Sequence, residues 1–244
     1  GTYGFIRIAI PMLPEAARQW APVIAVLATI GIIYGALGCL AQTDMKRLIA
    51  FSSVAHMGFV MLGIATLTDY GINAAIFGMV AHGLITGMLF FVAGSMKERY
   101  HTLDMKRLGG LLVSAPRMGW VLGFCAMASL GLPGLAGFWG EFPAILAAFS
   151  PADGLSVGLF RTCMVIASLG TVFAAGYLLW MFQRTSFGTP TEEFENDPHI
   201  TDILPTEYLA WVPMLILIVL FGFAPGLMFH VTNDAVGLVA AAVR

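Results

Sequence analysis

Charge is what this 244-residue chain has least of: Asp, Glu, Lys and Arg make up 11% of it, against 59% apolar residues and a mean hydropathy of +0.86. Soluble domains carry roughly 25% charged residues. So few charges cannot cover a water-soluble body of this size, so the surface must face lipid. A net charge of −2, with no basic stripe interleaved with aromatics, gives no footing for nucleic-acid binding. Cysteine is scarce too. Cys39, Cys125 and Cys163 lie inside apolar runs without C-x-x-C or paired spacing, which reads as small buried hydrophobes and not as disulfide, metal or iron–sulfur ligands. H-E-x-x-H, G-x-S-x-G, a P-loop and a G-x-G-x-x-G opening a helix are all absent, so no soluble-enzyme signature competes. The opening residues lack a signal-peptide pattern.

What is present is a series of charge-free runs, at 19–43, 48–68, 71–96, 118–140, 162–183 and 208–233. Each approaches or exceeds the ~20 residues that cross a bilayer as a helix. Only helices or closed barrels satisfy every backbone group in lipid, and these runs lack the period-two alternation of barrel strands. The expected fold is therefore all-α: a polytopic transmembrane helical bundle with one partial helix before Pro11 and Pro14, then about six spans. The partial first helix reads as the cut end of an element in a longer protein, of which residues 1–244 would be the C-terminal part.

The loops sort onto two sides. Lys46, Arg47, Lys97, Arg99, Lys106, Arg107, Arg117 and Arg184 fall on one, and Arg18, Arg161 and Arg244 on the other. The positive-inside rule makes the first side cytoplasmic. The longest loop, 184–207, carries Glu192, Glu193, Glu195, Asp197, Asp202 and Glu207 on that side, as a solvated segment or a docking surface. Small residues four apart, at Gly83 and Gly87, Gly119 and Gly123, and Ala136 and Gly140, are expected where helices pack closely.

Ionisable groups inside the spans are the exceptions from which function is read. Glu141 stands alone between Arg117 and Asp153 and follows GLPGLAGFWG at 131–140. That density of glycine with Pro133 breaks a helix, so a discontinuous helix is expected over 133–141. Irregular backbone at membrane depth is tolerated where protein or trapped water satisfies it, and such breaks are places where ions or protons are held. A carboxylate there costs about 3 kcal/mol, against the bland alternatives of an interfacial position or a silent ion pair. His82 sits mid-span with Gly78 and Thr86 one turn away on the same face, and an imidazole exchanges protons near neutral pH; the bland alternative is a fixed hydrogen bond between helices. His56 has Ser52 and Ser53 one turn back on a shared face and is about three turns from the basic end, where Lys46 and Arg47 read as interfacial anchors. His101, His199 and His230 are expected to be solvated. His56, His82 and Glu141 lie on three separate runs without metal-ligand spacing.

These residues carry a resemblance. KRLIAFSSVAHMG from Lys46 to Gly58, AHGL from Ala81 to Leu84, and GLPG from Gly131 to Gly134 running to FWGEF at Phe138–Phe142 closely resemble the antiporter-like subunits of respiratory complex I, over nearly the whole chain. A glutamate after the broken segment resembles subunit M, where subunits L and N and the multisubunit cation/proton antiporters typically carry lysine. The resemblance implies two inverted repeats, of which this chain would hold the second and the helices after it. It also implies a row of protonatable groups along the membrane arm into which His56, His82 and Glu141 would fit.

It implies further that the chain translocates protons while NADH oxidation and quinone reduction proceed elsewhere. Flavin, iron–sulfur clusters and quinone would be held by partner subunits and no cofactor by this chain. The expected neighbours are the other membrane-arm subunits, L and N above all, in a bacterial plasma membrane. The alternatives are a subunit of a multisubunit cation/proton antiporter, a related ferredoxin- or F420-linked redox pump, or a scaffold with relic polar groups.

Overall fold

The structure, a computed structural model, describes residues 1–195, 197 and 199–243. The chain opens on short helical turns, Thr2–Gly4, Phe5–Ala9 and Ile10–Met12. Eight helices carry the fold: α1 (Pro14–Leu40), α2 (Met45–Ala65), α3 (Asp69–Tyr100), α4 (Pro116–Ser129), α5 (Ala136–Ala147), α6 (Val157–Ser186), α7 (Pro205–Phe223) and α8 (Gly226–Ala241), with a single turn at Leu111–Ser114 before α4. Among the described residues no strand forms. Five helices, α1, α2, α3, α6 and α7, are long and apolar enough to cross a membrane.

Local chemistry sets the boundaries. Pro14 opens α1 with Glu15 in its first turn, a residue preset to helical φ followed by an acid at the positive end of the helix dipole. Asp44 caps α2, its carboxylate accepting from the Arg47 backbone N–H at 2.9 Å, and Thr68 caps α3 through the Gly71 N–H at 3.1 Å; each satisfies a donor that the first turn leaves orphaned. α3 ends with Lys97 and Arg99 in its last turn and His101 in the left-handed conformation. The cap of α4 comes from far along the chain: Asp202 accepts from the backbone N–H groups of Arg117 and Met118, both at 3.0 Å.

Five of the six expected runs are helical spans or begin as one, and the remaining run, 118–140, is the discontinuous one. α4 stops at Ser129 and α5 begins at Ala136. Between them Gly131 (φ +71) and Gly134 (φ +93) take left-handed backbone that a side chain at either position would oppose, and Pro133 lacks a donor. The membrane segment continues past Glu141 to Ala147, so the charge-free criterion ended this run too early. The last run, 208–233, is not one helix. α7 ends at Phe223, Ala224 turns to φ −124, ψ 59, and α8 starts beyond Pro225. A residue before proline is driven out of the α region, and Ala224 shows that shift.

The two groups of basic residues lie at opposite ends of the bundle. At one end the segments around Asp44 and Asp104 pair as a short bridge, Arg107 binds Glu193, and Arg99 binds Glu207. At the other, Arg18 donates to the backbone carbonyls of Val243 and Asp153, and the Ala152 N–H donates to the Thr66 carbonyl at 2.9 Å. Three of the six acids named for this loop are spent on their own chain: Glu193 on Arg107, Asp202 on the start of α4, and Glu207 on Arg99. The Arg107 guanidinium, hydrogen-bonded to Glu193, holds that carboxyl below its usual range. Arg244 lies outside the described residues.

Apolar packing forms two clusters. One gathers Leu48, Ile49, Met88 and Met96 toward the basic end, and the other gathers Ile32, Phe59, Leu62 and Ile72 toward the opposite end. Helices meet most closely at glycine. A Cβ on Gly140 would stand 2.4 Å from Gly78 Cα, and one on Gly58 would stand 2.8 Å from the Ala28 carbonyl oxygen. Of the small residues singled out in the sequence, Gly123 and Gly140 make such approaches, Gly87 lies near Met214 of α7, and Gly119 meets Leu112 in the turn before its own helix, whereas Gly83 faces open space.

Candidate functional site

His56 on α2, His82 on α3 and Glu141 on α5, far apart in sequence, converge between the two apolar clusters. His56 Nδ1 lies 2.6 Å from Glu141 Oε1, with the side chains 6% and 14% exposed. The imidazole of His82 is 5.9 Å from that of His56, centre to centre. The two histidines and Glu141 line one small cavity with Gly78, Thr86 and Ser129, among others. It has about 20 Å³ open to a water's centre, enough for one molecule.

The secondary structure explains the convergence. α5 starts afresh after the break, so its axis is not bound to that of α4, and the contact of Gly140 with Gly78 draws it against α3. Glu141 then faces His56. The carboxylate also abuts the break: a Cβ at Gly131 would stand 3.2 Å from Glu141 Oε2, so Gly131 leaves room for it as well as forming the turn.

His56 is held at both ring nitrogens. With an ionised Glu141, Nδ1–H donates to the carboxylate and Nε2 is left as an acceptor. Ser129 Oγ, at 3.1 Å, meets that acceptor, and the Tyr177 hydroxyl of α6 lies 3.5 Å from it. Ser129 is the last residue of α4, so both halves of the broken helix contact the same imidazole. His82 Nε2 lies 3.1 Å from Ser53 Oγ. Ser53, read from sequence as a neighbour of His56, partners His82 instead, while Ser52 Oγ turns back to the Ile49 carbonyl at 2.8 Å.

Ser129 and Tyr177 were not singled out in the sequence, since hydroxyls are common in membrane helices and only the tertiary register places these two. A second polar centre was missed in the same way. The Arg99 guanidinium binds both Glu207 oxygens, at 2.9 and 2.8 Å, and Ser95 Oγ donates to Glu207 Oε1 at 2.5 Å. His101 and His199 are exposed in loops, and His230 is exposed on α8. Among the described residues no three His, Cys, Asp or Glu side chains gather as a metal site. Cys39, Cys125 and Cys163 are buried free thiols.

An all-helical membrane bundle with a broken helix, whose second half brings a carboxylate to a buried histidine, defines a polytopic membrane protein with a titratable centre in its interior. Residues 1–168 match the family model described as NADH:quinone oxidoreductase/Mrp antiporter, transmembrane, and the chain belongs to that family. It is 41% identical over 223 residues to NADH-quinone oxidoreductase subunit M of Pseudomonas aeruginosa, covering 91% of this chain and 42% of the relative. Among solved structures it is similar to a chain of respiratory complex I from Thermus thermophilus with bound NADH, with a TM-score of 0.89, 30% identity, and coverage of 100% of this chain and 49% of that one. The Mrp complex from a Dietzia species has the same fold (TM-score 0.83, 18% identity, 100% of this chain and 53% of that one). The chain spans about half the length of the curated relatives it matches.

Proposed function

We propose that this chain is the proton-handling part of an antiporter-like membrane subunit, of the M type, in a proton-translocating NADH:quinone oxidoreductase. The observation that carries the reading is the 2.6 Å contact between His56 and Glu141 at the break of a membrane helix. Two groups in such contact can share a proton and pass it without a large movement, and His82 is the next imidazole, 5.9 Å away. The cavity holds room for a water among them. The similarity to subunit M of Pseudomonas aeruginosa and to complex I supports the parent complex.

On this reading the neighbours are the other membrane-arm subunits, L and N first, and flavin, iron–sulfur clusters and quinone are theirs to hold. The membrane is the bacterial plasma membrane, with the basic end cytoplasmic. Moving one charge against 100 mV costs about 2.3 kcal/mol, so the proton step must be coupled to redox energy supplied from outside this chain.

Glu141→Gln keeps the volume and removes the titration. In the assembled complex it should cut NADH-driven proton pumping and quinone reduction at least tenfold while electron transfer to an artificial acceptor persists. Wild-type pumping per electron would overturn the reading. A cation/proton antiporter is the second reading, favoured by the shared fold of the Mrp complex; cation-dependent proton flux that continues without NADH would select it.

A further inference from the structure

The break between α7 and α8 is bound to the break between α4 and α5. The Gly222 carbonyl lies in the last turn of α7, where a helix leaves its carbonyls without intrahelical donors, and Ala224 and Pro225 stop the helix from supplying one. The donor is the indole of Trp139, whose Nε1–H reaches that oxygen at 2.8 Å. Only glycine allows the approach, because a Cβ at Gly222 would stand 2.1 Å from the Gly134 carbonyl oxygen and 2.6 Å from Leu135 Cα. The end of α7 therefore rests directly on the segment that separates α4 from α5. Phe229 of α8 meets the Trp139 ring edge-on at 6.5 Å and also packs on Phe77 of α3 at 5.2 Å.

Trp139 precedes Glu141 by two residues, about 200° around the helix. Seen down its axis, α5 is thus held on opposite sides by two polar contacts, Trp139 to Gly222 and Glu141 to His56. Between them Gly137 fits against the Ala128 carbonyl, where a Cβ would stand at 2.2 Å, and Gly140 against Gly78. A side-chain end at the rim of a helix, roughly 6 Å from the axis, moves about 2 Å when the helix turns by about 20°. That is enough to separate Glu141 from His56.

We propose that Trp139 is a positioning residue for Glu141: its bond to Gly222 fixes the rotation of α5, so the α7–α8 break sets whether the carboxylate meets His56. The inference rests on the proton-handling reading above, and the two can fail separately.

The test uses the full-length subunit in the assembled complex, in membrane vesicles. Trp139→Phe keeps a ring and removes the N–H. Assembly and electron transfer to an artificial acceptor should match wild type, pumping should fall about three- to tenfold, and its pH dependence should move by about one unit, as expected on loosening one hydrogen bond to one protonation state. In infrared difference spectra, the carboxyl band that Glu141→Gln removes should shift in Trp139→Phe. An assembled Trp139→Phe complex with wild-type rate, pH profile and carboxyl band overturns the positioning role. If Glu141→Gln lowers pumping in the same assay, the proton-handling reading survives that result; if Glu141→Gln is also silent, both fall. Should Trp139→Phe fail to assemble, Pro225→Ala decides, because it lets α7 continue and compete for the Gly222 carbonyl. The same shift in pH profile supports the role, and a wild-type profile overturns it.

Discussion

His56 is the residue on which the site turns, since it touches both halves of the broken helix and the α6 hydroxyl. Ser129→Ala removes the partner at 3.1 Å, and Tyr177→Phe removes one at 3.5 Å, a distance at which a hydrogen bond contributes little. A neutral hydrogen bond contributes about 0.5–1.5 kcal/mol net, so Ser129→Ala should slow pumping by a few-fold to about tenfold and Tyr177→Phe by less, with assembly intact in both. Pumping rates of the two variants, measured side by side over pH, check the order; a larger loss in Tyr177→Phe would mean that the phenol and not the serine is the partner that matters to His56. The titratable members were legible in the sequence because an ionisable group inside an apolar run is costly enough to stand out. Ser129 and Tyr177 were not legible, because a hydroxyl in a membrane helix carries no such cost and its partner is chosen by how α2, α4 and α6 pack. The hydrogen-bond partner of Ser53 was hidden for the same reason. Its spacing from His56 is right for a shared face, yet the α2–α3 contact turns it to His82.

Helices α3 and α5 meet through Gly78 and Gly140, and that contact brings Glu141 into the site. Gly140→Ala would force a methyl group against the α3 backbone at 2.4 Å, where nothing flexible can yield, and overpacking of this kind costs about 1–3 kcal/mol. Gly83→Ala, on the same helix as Gly78 but facing open space, should be silent or slightly stabilising, as removal of an interior helical glycine usually is. Yield of intact complex on native gels, and its thermal stability, should fall for Gly140→Ala and hold for Gly83→Ala. Equal behaviour of the two would mean that the glycine contact is not what seats α5. The first break was readable because several glycines and Pro133 crowd ten residues. The second was hidden, since Pro225 sits in an otherwise apolar run, and Pro143 and Pro213 show that a lone proline also occurs inside these helices. What distinguishes Pro225 is tertiary: the end of α7 must stop where Gly134 and Trp139 meet it.

Across the whole molecule the charges divide between two ends, and the contacts at each end hold that division in place. At the basic end Arg99 is only 6% exposed and is bound by Glu207 and by the Thr201 and Asp202 carbonyls, so the loop that leads into α7 is tied to the end of α3. At the far end Arg18 ties α1 to the Asp153 loop and to the chain beyond α8. With Glu193, Asp202 and Glu207 of the long loop paired within the chain, the basic residues remain the signal that orients it, because acids count little in orientation. Lys106 and the 187–204 loop should accordingly face the cytoplasm and Asp153 the opposite side. A membrane-impermeant thiol reagent added to intact cells should modify a cysteine placed at Asp153 and spare one placed at Lys106, and inverted vesicles should reverse the pattern. Cys39, Cys125 and Cys163 are buried and should give a low background. Labelling of Lys106→Cys from outside would invert the molecule. The half-buried His82, the Glu141–His56 pair and the break would keep their geometry, but on the proposed proton-handling function the end from which protons reach them would be exchanged.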